Sequence, residues 1–430
     1  MTRRDSVTVT PGRAAGAVCI PSSKSVAHRA LICAALAERG QVSTLCRLPE
    51  NEDIGATLDC LRALGVRITE AREGTALTVR VEGCGGHFSD SGTPLCCRES
   101  GSTLRFMLPL CLSSASKRSL KGSKKLLSRP LDDYQALLES RGYECTEEGL
   151  TLGGGATLTS GRYALTGKSS SQFVTGLLFV LPLMEGDSII EFPTQPESRS
   201  YIDMTIAVLA RFGVRAAWKT DTRLHVAGGQ TYRAIDMAID GDASGAAFFY
   251  ALDAMHKRNA VDVVCPVSDD IPQGDACCPS LLETLKSATP QNIPVLSLAD
   301  CPDLGPVLFG AAAALGGATF THTDRLRLKE SDRVAAMVGE LEKFGALCTV
   351  CDRLEGGTVT ILPPQSGLHA PTEVLHGHND HRIVMSLCVL SACLDSTTPV
   401  TVDDAHAIAK SFPEFFERLK ALGVSVALAK

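Results

Sequence analysis

With 430 residues, 44% apolar and 21% charged, and a formal net charge of -6, the chain is too long for one ordinary core. It is also too acidic, with no basic tail or face, for nucleic acid to be its main partner. No apolar run reaches membrane-spanning length, and the basic start Met1-Thr2-Arg3-Arg4-Asp5 lacks the apolar stretch of a signal peptide.

In chain order, a strand-like run over residues 16–20 ends in the small-residue turn Pro21-Ser22-Ser23-Lys24-Ser25, and a helix pattern follows over residues 29–37. Serine hydroxyls, free N–H groups and a lysine thus meet at a helix start, which carries a partial positive charge and suits an anion. Arg98-Glu99-Ser100-Gly101-Ser102-Thr103-Leu104-Arg105 opens another apolar helix, and Ser128-Arg129-Pro130 precedes a third, with proline fitting its first turn. Ser170-Ser171-Gln172 opens a helix over residues 173–183. Arg327-Leu328-Lys329-Glu330-Ser331-Asp332-Arg333 stands before one over residues 334–344. Asp380-His381-Arg382, before a helix over 382–393, and Lys410-Ser411-Phe412-Pro413 repeat the form. Each alone reads as a capped helix with a solvated charge; together they offer an anion many donor sets with cations.

An apolar helix ending in glycine before a β-prone stretch recurs at residues 61–66, 137–142, 208–214, 341–346 and 419–424, and residues 281–286 supply a copy without the glycine. Six αβ units in two sets of three fit a two-domain α/β protein with internal pseudo-symmetry. The seam falls at residues 233–241, before a helix over residues 246–255.

Three motifs are set aside. Gly161-Arg162-Tyr163-Ala164-Leu165-Thr166-Gly167-Lys168-Ser169 has five residues between its glycines where a P-loop has four. His376, His378 and His381 read as a capped polar turn, with Asn379 or Asp380 as cap, and not as a metal site. Cys348 and Cys351 have redox spacing but lie in a strand pattern with no second pair, so buried thiols are expected. The 17 cysteines, an odd number, fit reduced thiols in a cytoplasmic protein.

The segments Ser23-Lys24-Ser25 with Arg29, Gly101 with Arg105, Arg129-Pro130, Ser170-Ser171-Gln172, Lys329-Glu330-Ser331-Asp332-Arg333, Asp380-His381-Arg382 and Lys410-Ser411-Phe412-Pro413 resemble the EPSP synthase family of enolpyruvyl transferases, over nearly the whole chain. The resemblance implies two pseudo-symmetric domains, each of three βαβαββ units in an inside-out α/β barrel, with the active site in the interdomain cleft. It places the first domain at residues 21–238 and the second at 1–20 with 239–430. It further implies a cytoplasmic monomer that needs no cofactor or metal, with phosphoenolpyruvate and shikimate 3-phosphate as substrates and glyphosate as an inhibitor.

By the same resemblance, Lys24, Ser25, Arg29, Ser170, Ser171, Gln172, Ser198, Tyr201, Asp303 and Lys329 hold shikimate 3-phosphate. Lys24, Gly101, Arg129, Gln172, Arg333, Arg382 and Lys410 hold phosphoenolpyruvate. Asp303 is the expected base for the 5-hydroxyl, and Glu330, assisted by Lys24, the expected proton donor to C3. One departure is visible: Glu99 and Ser100 stand where asparagine and alanine commonly precede the glycine, so the added carboxylate needs a cation such as Arg98 or Arg129. The alternatives are an enolpyruvyl transferase acting on UDP-N-acetylglucosamine, with Cys96 and Cys97 near its cysteine loop, and a non-catalytic anion-binding paralogue.

Overall fold

The structure is a computed structural model describing residues 5–73, 76–89, 91–140, 142–155, 157–167, 170–256, 258–289, 291–352 and 356–429. Arg141 of the second glycine-ended phrase, Lys168 and Ser169 of the P-loop-like string, and residues 1–4 lie outside them. Among the described residues no helix is long and apolar enough to cross a membrane.

The chain divides into two compact units. One comprises Ser22–Asp240 with Val267–Gln273; the other comprises Met1–Pro21, Gly241–Pro266 and Gly274–Lys430. Val267–Gln273 is tied to the first through Ser268, which donates to Asp240 at 2.7 Å, and Asp270, paired with Arg211 at 3.3 Å.

One structural phrase recurs within each unit. A strand leads into an outward-facing helix, glycine stops the helix, and a hairpin returns to pair antiparallel with the first strand. In the first unit, strand Val42–Leu48, helix Glu52–Ala63 and the hairpin Arg67–Glu73/Ala76–Glu82 form this phrase, and Asp236–Ala238 adds a parallel strand at the edge. Leu77, Val79 and Val81 alternate inward along the hairpin, as a sheet with one solvated face requires. Arg118–Lys121 and Ser188–Glu191 begin two further copies. In the second unit Ala318–Thr321 begins another. Gly65, Gly213 and Gly345 stop their helices at φ of +88°, +82° and +91°, where a side chain is disfavoured.

Two units of the pattern depart from it. Strand Ser6–Thr10 pairs antiparallel with both Val400–Asp403 and Ser425–Ala429, closing a sheet from distant parts of the chain. The glycine-free copy, helix Cys278–Lys286, ends on Ser287 in a right-handed conformation, and only the bridge between Thr289 and Asn292 stands where the others carry a hairpin. Losing the left-handed stop removes the reversal that aims a hairpin back at the sheet.

The innermost helices are apolar almost all round, unlike the amphipathic ones outside them. In the first unit Lys24–Leu36 is buried from Val26 onward, Gly101–Leu112 is buried except for Ser102, and Ser171–Val180 except for Gln172. The core helices therefore leave only their first turns uncovered. In the second unit Gly305–Ala314 and His381–Ala392 are similarly enclosed.

Candidate active site

Helix starts differ from the sequence expectation by several residues, and capping explains why. Ser23 is the N-cap of the first core helix, accepting from Val26 N–H at 3.4 Å, so Lys24 and Ser25 are its first helical residues and not part of a preceding turn. Ser100 caps Gly101–Leu112, Ser170 caps Ser171–Val180, Asp332 caps Arg333–Lys343, and Asp380 caps His381–Ala392. Two expected helices start a few residues beyond their motifs. Ser128 ends the short helix Lys124–Leu127, and Arg129-Pro130 then leads through Leu131 and the 3-10 turn Asp132–Tyr134 into the helix Gln135–Glu139. Lys410 ends the 3-10 stretch Ala405–Lys410, Phe412 turns inward against Phe249, and the helix after the motif begins at Phe415.

In the first unit, Arg29 is 3% exposed and holds only neutral oxygens. Its Nε donates to Thr205 at 2.8 Å, and its terminal nitrogens donate to the carbonyls of Ser25 at 2.7 Å and Tyr201 at 3.1 Å and to Thr175 at 3.4 Å. Burial lowers its pKa to about 10, with Tyr201 and Cys33 opposing. A buried guanidinium with no carboxylate on it favours an incoming anion, which would offset its desolvation. Lys24 is paired with Asp53 at 2.9 Å.

Gly101, Arg105, Arg129 and Gln172 meet at one point. A Cβ on Gly101 would lie 2.8 Å from an Arg129 nitrogen, 2.9 Å from one of Arg105 and 3.8 Å from Gln172 Oε1. Arg105 donates to Gln172 Oε1 at 3.0 Å, and Gln172 donates to Ser102 at 2.8 Å. Ser198 stands at the N-cap position of the helix Arg199–Arg211 without a side-chain cap bond, at a left-handed φ of +54° that costs a non-glycine residue about 1 kcal/mol or more. Arg98 is engaged by Asp59 at 2.6 Å. The departure at Ser100 has a structural use as the helix cap.

In the second unit the site residues converge on Asp303. Its carboxylate meets Arg333 at 3.0 Å, Lys329 at 3.2 Å and Arg382 at 3.2 Å, while its carbonyl accepts from Arg382 at 2.9 Å. Arg333, 1% exposed, also binds Glu330 at 2.5 Å and Asp380 at 2.9 Å, so all three of its nitrogens face carboxylates. Burial alone would lower the Arg333 pKa, but Asp380, Glu330 and Asp303 together raise it. Burial pulls the Lys329 ammonium down, with Asp303 opposing. For Asp380 burial works upward, yet Arg333 outweighs it and the carboxyl ends below its ordinary value. Lys410 is 5% exposed and donates to the Asn379 carbonyl at 2.6 Å, next to Asp380 in the chain.

Three participants were not singled out from the sequence. Asp53 holds Lys24, and an acid in the first turn after the Asn51 cap was a signal for it. Asp380 was named as part of a motif but not as the partner of Arg333. Asp275 is 2% exposed, and burial with Asp303 raises its pKa to about 6 while Arg382 and the Ser244 hydroxyl oppose. No periodicity marks an acid in a single 3-10 turn.

The motifs set aside have ordinary partners. His376 pairs with Asp403 at 2.9 Å and His378 with Glu340 at 3.7 Å. Cys348 and Cys351 are half-buried thiols in strand Leu347–Cys351. Residues Arg162–Ala164 of the P-loop-like string form a strand.

The profile of EPSP synthase (3-phosphoshikimate 1-carboxyvinyltransferase) matches residues 9–419 of this sequence. The chain belongs to the EPSP synthase family. A 3-phosphoshikimate 1-carboxyvinyltransferase of Clostridium botulinum (strain Alaska E43 / Type E3) is 36% identical over 434 residues, covering 96% of either chain. The enzyme of the same name from Clostridium kluyveri is 36% identical over 444 residues, covering 97% of each. EPSP synthase from Acinetobacter baumannii, a solved structure, aligns with a TM-score of 0.74 at 23% identity, over 99% of this chain and 100% of its own. That likeness speaks to the α/β fold alone.

Proposed function

We propose that the chain transfers the enolpyruvyl group of phosphoenolpyruvate to the 5-hydroxyl of shikimate 3-phosphate and releases inorganic phosphate. The observation that carries this reading is the cluster around Asp303, where Lys329, Arg333 and Arg382 hold one carboxylate and Glu330 sits on Arg333. It unites an acid, a base and several cations, as a reaction between two anions demands, and it does so in a member of this family.

The substrates carry two phosphates and two carboxylates, and like charges about 4 Å apart at the dielectric of a protein surface repel by roughly 4 kcal/mol. Placed cations offset that. On this reading Arg29, with Ser25, Ser170, Ser171, Gln172, Ser198, Tyr201 and Lys329, receives shikimate 3-phosphate. Arg129, Arg333, Arg382 and Lys410, with Gly101 and Gln172, receive phosphoenolpyruvate. Lys24 and Arg333 rest on carboxylates in this structure. Each exchanges part of that pairing for substrate, which keeps a desolvated cation stable until the substrate arrives.

Asp303 takes the 5-hydroxyl proton, the hydroxyl oxygen bonds to C2 of the enol, and Glu330 protonates C3. Loss of phosphate from C2 and of a proton from C3 then restores the double bond. The protein works in the cytoplasm as a monomer; the compartment is supported by all 17 cysteines being thiols.

Phosphate release in a coupled assay, with phosphoenolpyruvate and either shikimate 3-phosphate or UDP-N-acetylglucosamine as acceptor, tests the proposal. Turnover with shikimate 3-phosphate alone is expected; turnover only with the nucleotide sugar, or none with either, refutes it. Of the two cysteines near the Gly101 turn, Cys97 is buried and Cys96 exposed, so the choice of acceptor in this assay, and not cysteine placement, separates the two readings.

A further inference from the structure

Behind the helix start at Gly101 runs a buried chain of polar side chains to which no substrate role has been given. His28 Nδ1 lies 2.8 Å from Thr57 Oγ1, Thr57 Oγ1 lies 2.8 Å from Thr103 Oγ1, and Thr103 Oγ1 donates to Ser100 Oγ at 2.8 Å. All four residues are 1% exposed or less. Ser100 Oγ accepts a second time, from the Thr103 N–H at 3.2 Å.

Counting protons fixes the direction of the chain, because each hydroxyl owns one hydrogen. Thr103 gives its hydrogen to Ser100, so Thr57 must donate to Thr103. His28 must then donate to Thr57 through Nδ1–H, which leaves Nε2 as an unprotonated nitrogen. That atom is buried and has no hydrogen-bond partner. Burial, joined by Lys24 and Arg29, holds the His28 pKa well below its ordinary value, so the ring is neutral and one tautomer is selected.

The spacing of these residues ties three elements together. Lys24 and His28 are one turn apart on their helix, as are Asp53 and Thr57 on theirs, and Ser100 and Thr103 are the cap and third residue of a third helix. Two rungs result. Lys24 binds Asp53 at 2.9 Å, and Thr103 also approaches the Asp53 carbonyl at 3.4 Å; His28 binds Thr57, which binds Thr103. Apolar side chains would fill this space without fixing a register, whereas a fully directed polar chain admits one arrangement.

We propose that Thr57 and Thr103, oriented by His28, are positioning residues that set the Gly101 helix start against Lys24 and thereby shape the phosphoenolpyruvate half of the site. The proposal rests on the reading that Gly101, Arg129 and Lys24 hold that substrate. Arg29 has its own contacts to Ser25, Thr175, Thr205 and Tyr201, so the shikimate 3-phosphate half is not governed by the chain.

The test is a pair of substitutions in the full chain. Thr57→Val keeps the shape but removes the link, and Thr57→Ser restores the hydroxyl. Thr57→Val is expected to raise the KM for phosphoenolpyruvate about tenfold, since it strands a buried donor and acceptor. Calorimetric affinity for shikimate 3-phosphate should stay within about twofold, and Thr57→Ser should recover the wild-type KM. An unchanged KM in Thr57→Val, or equal weakening toward both substrates, overturns the proposal. If Thr57→Val does not fold, His28 carries the test: His28→Asn places an amide N–H near the Nδ1 position and should keep the KM, whereas His28→Gln should raise it. Equal KM values in those two overturn the proposal. A wild-type enzyme that releases no phosphate removes the functional reading and this inference together; an active one whose KM ignores these substitutions removes the inference alone.

Discussion

Replacing Gly101 by alanine probes the phosphoenolpyruvate half most directly. The added methyl would stand 2.8 Å from Arg129 and 2.9 Å from Arg105, so roughly 0.6 Å of retreat is needed to reach van der Waals separation. Arg105 is 6% exposed and fastened to Gln172 at 3.0 Å, which leaves the half-buried Arg129 as the group that moves. The backbone itself tolerates alanine, because Gly101 is not among the glycines with positive φ. A displaced Arg129 forfeits a charge-assisted contact of about 1.5–3 kcal/mol, which is a rise of roughly 10- to 150-fold in the KM for phosphoenolpyruvate. Initial rates of phosphate release at saturating shikimate 3-phosphate read this directly, and glyphosate inhibition should weaken in parallel. A KM within twofold of wild type, or an unchanged glyphosate inhibition constant, would refute the placement of Gly101 and Arg129.

Other substitutions separate chemistry from support. Glu330→Gln keeps a side chain of the same shape beside Arg333, so substrate binding should hold while kcat falls about 100-fold or more; near-normal turnover would remove Glu330 from the proton transfer. Asp275 has a folded pKa near 6, above its unfolded value of 3.8, so its contribution to stability is full below pH 3.8 and lost as pH rises through 6. Asp275→Asn, neutral throughout, should therefore melt higher than wild type at pH 7.5, by the equivalent of about 3 kcal/mol, with the gap closing by pH 4. A gap that does not change with pH counts against that account. Cys277 is exposed, and a hydrogen bond from Cys301 lowers its pKa. Iodoacetamide at pH 7.5 should label it ahead of buried Cys301, as peptide mass spectrometry would report; the reverse order would contradict the pairing.

Local signals carried much of the fold. The glycine-ended helices were legible because a left-handed stop needs glycine, and even the defective copy at residues 281–286 was visible as the one lacking it. That its hairpin shrinks to a bridge was not legible, since Thr289 and Asn292 look like ordinary turn residues. Helix starts were misplaced by a few residues wherever the cap preceded the apolar run, as with Ser23 before Lys24 and Asp380 before His381. The helix after Lys410-Ser411-Phe412-Pro413 was legible, but it begins only at Phe415, because the buried Phe412 decides the local path first. At the site, cations are conspicuous in a sequence and their carboxylate partners are not. Arg333 and its near neighbour Glu330 were named; the convergence of Asp303 and Asp380 upon Arg333 depends on residues 30 and 47 positions away in the chain.

The sheet closed by strand Ser6–Thr10 bears on how the protein is made. Thr8 bonds Thr401 across 393 positions of sequence, so this strand leaves the ribosome long before the partners it pairs with. At about 5–20 residues per second that delay is roughly 20 to 80 seconds. Residues 22–240 hold all twelve strands of three four-stranded sheets and can mature during the wait. Until release, Val7 and Val9 must be shielded from other strand edges, so translation speed and chaperone supply bear on the yield of the second unit while leaving the first untouched.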